Sequence, residues 1–207
     1  MSDPALPSPE HAGRALRLYF GAHVMGLVDE AKPYEPTLAA LHDVARRLSE
    51  AGIGVEPALR LLEWEPTGEG ASDELLRLID QLDDSLAHSP HPEGEWPRVR
   101  EVLGDELLGD VLGTSPSSLR RYGSGERETP DDVAWLLHVT ARVVGDLLGS
   151  YNAYGVRRWF ERPRSQLEGR APRDLLREAR TDAGTDDAAV QPVLDLAASL
   201  VGGQGAT

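Results

Sequence analysis

The chain has 207 residues, of which 40% are hydrophobic and 27% charged, and its formal net charge is −14. This composition excludes a disordered class, and the length allows one or two domains with a hydrophobic core. The absence of cysteine excludes a disulfide framework, a thiol nucleophile and a Cys-based metal site. No apolar run approaches the roughly 18 residues that span a bilayer, and a basic secretory signal is missing, so we expect a cytoplasmic protein without a membrane segment.

The hydrophobic periodicity predicts an all-α fold, because alternating β-branched runs bounded by hairpin turns are absent. Four helices are predicted in the first part of the chain, beginning near Pro9, Pro36, Pro57 and Ser72. We interpret residues 1–87 as an acidic helical bundle. Segment 88–95 has two prolines and no periodicity, which predicts a linker. Its histidines, His88 and His91, are interpreted as solvated loop residues and not as metal ligands.

The acidic charge is concentrated at the two ends of the chain. Residues 1–95 hold 7 basic and 18 acidic residues, and residues 181–207 hold four Asp and no basic residue. Residues 96–180, by contrast, hold 14 Arg and 13 acidic residues. Because this middle region is nearly neutral, the negative total does not exclude contact with nucleic acid there.

Seven further helices are predicted after the linker. They cover about Pro97–Leu103, Asp105–Leu112, Pro116–Tyr122, a long stretch after Pro130, Ala153–Phe160, Pro172–Arg180 and a last helix ending at Gly202. Thr129 is expected to cap the long helix, with Pro130 at its first position. Thr185 is a candidate cap for the last helix, but Pro192 would then lie inside it, so a kink or a later start is expected.

Residues Asp105–Ser124 have the spacing of a helix-turn-helix. Gly109 is the small residue that allows the second helix to approach, and Gly113 is expected to adopt a positive φ in the turn. The apolar residues that would anchor the two helices to the core are Leu108, Leu112, Leu119 and Tyr122. Ser115 is expected to cap the second helix and Pro116 to begin it.

The outer face of the second helix carries the candidate DNA-binding residues. They are Thr114, Ser115, Ser117, Ser118, Arg120 and Arg121. Such side chains can contact phosphates or base edges, and Arg can bind guanine through two hydrogen bonds. The alternative is an ordinary helical corner with a solvated polar face.

Several motifs in this half of the chain occur in a characteristic order. They are Leu112-Gly113-Thr114-Ser115, Leu119-Arg120-Arg121, the stretch Gly125–Asp131, Trp159-Phe160-Glu161-Arg162-Pro163, the stretch Leu167–Pro172 and Asp174-Leu175-Leu176. Over about residues 96–202, this order resembles the Xre/MbcA/ParS-type antitoxins. Ala171 departs from the family, where a capping Ser or Thr is usual, and the acidic N-terminal domain has no counterpart in typical members.

The resemblance implies a helix-turn-helix domain over 96–150 that binds operator DNA and a C-terminal toxin-binding domain over 151–207. The family usually dimerises, and its partner is commonly a RES-type toxin that degrades NAD, whose active site the C-terminal segment blocks. The candidate partner-binding residues are Arg162, Arg164, Arg170, Arg173, Leu194, Leu200 and Val201.

Three functions remain open at this point. The first is a DNA-binding antitoxin or antitoxin-like regulator, and the second is a transcription regulator that has no toxin. The third is a helical interaction protein that does not bind DNA and whose acidic bundle binds a basic partner. We do not expect an enzyme or a cofactor, because no catalytic arrangement, phosphate loop or metal-ligand spacing emerges from the sequence.

Overall fold

A computed structural model describes residues 5–29, 35–67, 70–181 and 184–201. The fold is all-α, as predicted, and the described strands are two residues long each. The contacts divide the chain into two compact units. Residues up to 23 and from 27 to 89 form the first, and residues 24–26 and those from 90 onward form the second.

The first unit contains the four helices that the periodicity predicts. They are α1 (Pro9–Val24), α2 (Leu38–Glu50), α3 (Val55–Leu62) and α4 (Ala71–Ala87). The Thr37 hydroxyl caps α2 by accepting from the Ala40 amide, and leucines on the inner faces build the core. On the outer face of α2, Arg46 and Arg47 are exposed.

The second unit begins earlier than the sequence predicts. Its helices are α5 (Pro92–Leu112), α6 (Pro116–Gly123), α7 (Asp131–Leu148), α8 (Ala153–Glu161), α9 (Pro172–Glu178) and α10 (Asp187–Val201). A 3₁₀ turn (Ser165–Leu167) follows α8, and the strands β1 (Arg180–Thr181) and β2 (Gly184–Thr185) pair between α9 and α10. Pro92–Glu95 therefore belong to α5 and not to a linker, because Pro92 can start a helix at no cost in hydrogen bonds.

Helix α5 is interrupted at Gly104, whose φ of 77° and ψ of 160° are not helical. The two helices predicted over Pro97–Leu103 and Asp105–Leu112 are thus the two parts of α5 on either side of this glycine. A residue with a Cβ rarely adopts this conformation, so the glycine permits the change of direction. The second part, Asp105–Leu112, is the first helix of the predicted helix-turn-helix.

One core holds the second unit together. Helix α7 contacts both α5 and α10, and α8 and α9 pack against α5. The fully buried side chains include Trp159 and Phe160 from α8, and Val193 of α10 belongs to the same core. The segments assigned in sequence to a helix-turn-helix domain and to a C-terminal domain therefore share this core.

The predicted cap of α7 is wrong. Pro130 occupies the cap position and helix α7 starts at Asp131, while the Thr129 hydroxyl accepts a hydrogen bond of 2.9 Å from the indole Nε1 of Trp96. Trp96 is only 2% exposed, so its indole N–H needs a partner inside the protein. The Thr129 hydroxyl therefore accepts from this buried donor and does not cap the start of α7.

The cap predicted for α10 is also wrong. Asp186 accepts hydrogen bonds from the amides of Ala188 and Ala189, at 3.0 and 3.2 Å, while Thr185 lies in β2. The helix begins at Asp187 and contains Pro192, so the start is not late enough to leave this proline outside the helix. Because Pro192 has no N–H, the Ala188 carbonyl receives no helical hydrogen bond from it.

A carboxylate and an imidazole are buried together between α5 and α7. Oε1 of Glu95 lies 2.6 Å from Nδ1 of His138, and their side chains are 0% and 4% exposed. Nothing in the sequence pattern singled out either residue, since they are 43 positions apart. The contact between the two side chains is therefore almost completely shielded from water.

Candidate nucleic-acid interface

The second part of α5 and helix α6 form the predicted pair of helices. Leu108, Leu112 and Leu119 are fully buried, and Tyr122 is 8% exposed, so all four predicted anchors lie in the core. The pair is therefore held to the rest of the unit by its inner face, and the opposite face of α6 is directed to solvent. This part of the sequence prediction is confirmed.

The turn between the helices depends on two glycines. Gly113 has a φ of 57°, the left-handed conformation that the sequence predicts for it. A Cβ added at Gly109 would lie 3.3 Å from the carbonyl oxygen of Thr114, which is a tight contact. The Thr114 amide donates to the Gly109 carbonyl at 3.0 Å, so the turn passes close over the end of α5.

Ser115 is the cap of α6. Its hydroxyl accepts from the Ser118 amide at 3.2 Å and lies 3.1 Å from the hydroxyls of both Ser117 and Ser118. Pro116 follows at the first helical position, as predicted. The candidate DNA-binding residue Ser115 therefore also stabilises the helix that would enter the groove.

The other candidates differ in exposure. Ser117, Arg120 and Arg121 are exposed, whereas Thr114 and Ser118 are half-buried, and the Thr114 hydroxyl donates to the Leu112 carbonyl at 3.2 Å. Nε of Arg121 is 3.9 Å from the nearest Glu126 oxygen, too far for a hydrogen bond, and its side chain is 53% exposed. The guanidinium groups on this face are thus available for a partner.

The sequence analysis missed an ion pair between Arg100 and Asp105, which lies beside the end of α6. Arg100 donates to both carboxylate oxygens of Asp105, at 2.8 and 2.9 Å. These hydrogen bonds hold the pKa of Asp105 below its usual range, and the charge of Arg120 lowers it further. A Cβ added at Gly123 would lie 2.9 Å from Nη1 of Arg100, so this arginine packs closely against α6.

A second missed arginine supports the turn from the other side. Arg180 donates to Oδ2 of Asp132 at 2.9 Å and to the carbonyl oxygen of Gly113 at 3.0 Å. Its side chain is 21% exposed. The turn of the helix pair is thereby connected to the first turn of α7 and to β1.

Replacing Arg180 with alanine is expected to lower the free energy of unfolding by about 1–2 kcal/mol, because two charge-assisted hydrogen bonds are removed from a partly exposed site. Urea denaturation followed by circular dichroism measures this. Arg177→Ala is the control, since Arg177 is exposed on α9, and we expect a change within about 0.5 kcal/mol. Equal stability of the Arg180 variant and the wild type would contradict this role.

The predicted partner-binding residues differ in burial and pairing, and Arg164 lies beside Arg170 because the Arg164 amide donates to the Arg170 carbonyl at 3.0 Å. Arg170 pairs with Glu178 at 2.6 Å, and Nε of Arg173 is 3.8 Å from Asp174. Leu194 is 7% exposed and belongs to the core, so a partner could reach it only if α10 moved away from α7. Leu200 and Val201, at the end of α10, are half-buried.

Arg162 and Arg164 lie at an open groove of about 500 Å³ formed by α8 and the residues on either side of it. We call it the arginine groove. The residues that line it are Tyr151, Tyr154, Gly155, Arg158, Trp159, Arg162, Pro163 and Arg164. Arg164 packs on the ring of Trp159, with its guanidinium carbon 5.0 Å from the ring centroid.

The part of the chain that the structure describes holds neither a metal-binding cluster nor a membrane span. Within it, no three His, Asp or Glu side chains come together as a possible metal site. None of its helices has the length and apolar character needed to cross a bilayer. Comparison with known protein families, curated proteins and solved structures found no match to this chain.

Proposed function

We propose that this protein is a DNA-binding transcription regulator that inserts α6 into the major groove of double-stranded DNA. The observation that carries the proposal is the division of α6 into two faces. Leu119 and Tyr122 anchor its inner face, while Ser117, Arg120 and Arg121 are exposed on the other. A recognition helix needs this arrangement, because its backbone must be held rigidly while its outer side chains contact bases and phosphates.

The local charges are compatible with DNA. Asp105, an acidic residue at the start of the first helix, is paired with Arg100 through two hydrogen bonds. Its charge is therefore largely compensated beside α6. Arg120 and Arg121 are left as charged groups on the outer face, where a guanidinium can bind guanine through two hydrogen bonds or contact a phosphate.

The test is a binding titration of the full chain with a fragment of its own promoter, followed by fluorescence anisotropy. We expect binding at about 50 mM salt that falls steeply by 200 mM, because phosphate contacts release counterions. A scrambled fragment of the same length measures non-specific binding. The proposal fails if no fragment is bound at low salt.

Ser115→Asp separates the capping role of this residue from its position at the DNA. Aspartate caps a helix as well as serine, so we expect the free energy of unfolding to stay within about 0.5 kcal/mol of wild type. The added negative charge should nevertheless weaken DNA binding about tenfold, because it would face the phosphates. Ser115→Ala is the comparison and should lose about 1 kcal/mol of stability. Undiminished DNA binding by the Asp variant would place the start of α6 away from the DNA.

The resemblance to antitoxins adds two proposals about partners, a RES-type toxin and a second copy of this chain. Of the candidate toxin contacts, Leu194 is buried in the core, Arg162 is exposed, and the others are half-buried, namely Arg164, Arg170, Arg173, Leu200 and Val201. Purification from the native host, with identification of any bound protein, tests the toxin. Sedimentation of the pure chain tests the dimer. A regulator without a toxin would bind the promoter and co-purify with no such enzyme.

A further inference from the structure

The arginine groove combines three arginines with no carboxylate. Among the described residues, Arg158, Arg162 and Arg164 form no ion pair with an acidic side chain, and no Asp or Glu lines the groove. Burial lowers the pKa of Arg164 from its ordinary value, and the nearby charge of Arg162 acts in the same direction. Positive charge is thus concentrated at the groove without a carboxylate, and for the half-buried Arg164 an anion would offset part of the cost of burial.

Two polar atoms beside the groove also lack a partner. Nε1 of Trp159 and Nε of Arg164 are buried and make no hydrogen bond in the described structure. Both groups are donors and cannot accept. Both residues line the groove, where an oxygen-rich anion would supply acceptors.

Two exposed aromatic rings also line the groove. Tyr154 is 68% exposed and Tyr151 39%, which makes them the most exposed aromatic residues described. The guanidinium carbon of Arg158 lies 5.9 Å from the centroid of the Tyr154 ring. A planar ligand can stack on such a ring without displacing a core side chain.

We propose that the arginine groove binds a nucleoside monophosphate, with the phosphate on Arg162 and Arg164 and the base on Tyr154. The phosphate supplies the acceptors that the arginines and the unpaired donors need, and guanidinium groups bind phosphate through paired hydrogen bonds. A groove of about 500 Å³ has room for a ligand of this size. The proposal uses none of the residues of the proposed DNA-binding face and does not depend on it.

Adenosine monophosphate is the probe, titrated into the full chain by calorimetry and by NMR of the indole N–H groups. Three indoles already have acceptors, since Trp64 donates to Ala71, Trp96 to Thr129 and Trp135 to Asp187. We expect saturable binding, with the largest shift at the Trp159 indole. Inorganic phosphate and adenosine, titrated separately, should each bind more weakly than the nucleotide.

Three variants locate the ligand. Arg162→Ala removes an exposed side chain and should raise the Kd about ten- to hundredfold without affecting the fold. Arg164→Lys keeps the charge but not the planar donor fork, and should also weaken binding. Tyr154→Ala should raise the Kd about tenfold because stacking is removed. Arg46→Ala, which removes an exposed arginine from the first unit, is the matched control and should bind as wild type.

Three results would overturn the proposal. The first is a Trp159 indole that does not move at millimolar nucleotide, and the second is Arg162→Ala protein that binds as wild type. The third is inorganic phosphate that binds as tightly as the nucleotide, because the base would then contribute nothing to binding. Because promoter binding is measured in a separate experiment, none of these results bears on the proposed regulator function.

Discussion

Replacing Arg120 and Arg121 together with alanine is expected to weaken promoter binding at least about thirtyfold. Each arginine that contacts a base or phosphate contributes about 1–3 kcal/mol, and both side chains are exposed on α6. The inner face keeps Leu119 and Tyr122, so the fold should be unchanged. Fluorescence anisotropy with the promoter fragment at several salt concentrations measures the weakening.

The chain offers a matched control for this change. Arg46 and Arg47 are also two consecutive exposed arginines near the end of a helix, but they lie in the first unit. Their double replacement alters the net charge equally and should leave promoter affinity nearly unchanged. The slope of log binding constant against log salt concentration should become shallower by about one for each phosphate that is no longer bound. We expect this change only in the α6 variant. Equal weakening in the two variants would mean that net charge, and not α6, determines binding.

Replacing His138 with alanine is expected to lower the free energy of unfolding by about 3–5 kcal/mol. The change leaves the Glu95 carboxyl group, which is 0% exposed, without its partner at 2.6 Å and with the weaker hydrogen bond from the His91 amide at 3.2 Å. An uncompensated buried charge is strongly destabilising, whereas removal of both partners is much less so. The double variant with Glu95→Ala should therefore be more stable than the sum of the two single changes predicts.

Urea denaturation of the two single variants and the double variant gives this coupling energy. Glu101→Ala is the control, because it removes an exposed carboxylate from the same helix and should cost no more than about 0.5 kcal/mol. If the double variant loses as much as the two single variants added together, Glu95 and His138 do not act as a pair.

The features predicted correctly from sequence are those whose cause lies within a few residues. The cap at Ser115 depends on the amide of Ser118, three positions away. The left-handed turn at Gly113 depends on the absence of its own Cβ, and the buried stripe of α6 depends on helical spacing. The position and the two faces of the helix pair therefore follow from the local sequence.

The errors arose where a local signal competed with a distant partner. Thr129 has the sequence context of a cap, but Trp96, 33 positions away, takes its hydroxyl. Thr185 precedes the last helix, but it pairs with Arg180 between β1 and β2, and Asp186 accepts from the first amides of α10 instead. Sequence spacing does not show which of two available partners a side chain will meet.

The sequence alone determined the helical fold, the charge distribution and the outward face of α6, since each follows from composition or from the period of a helix. Only the tertiary structure decided what surrounds that face. It paired Asp105 with Arg100, placed Arg180 on the turn and buried Glu95 against His138. It also assembled the arginine groove from α8 and the residues on either side of it. These contacts depend on how the helices pack and on which side chains then lose water, and neither is encoded in a local pattern.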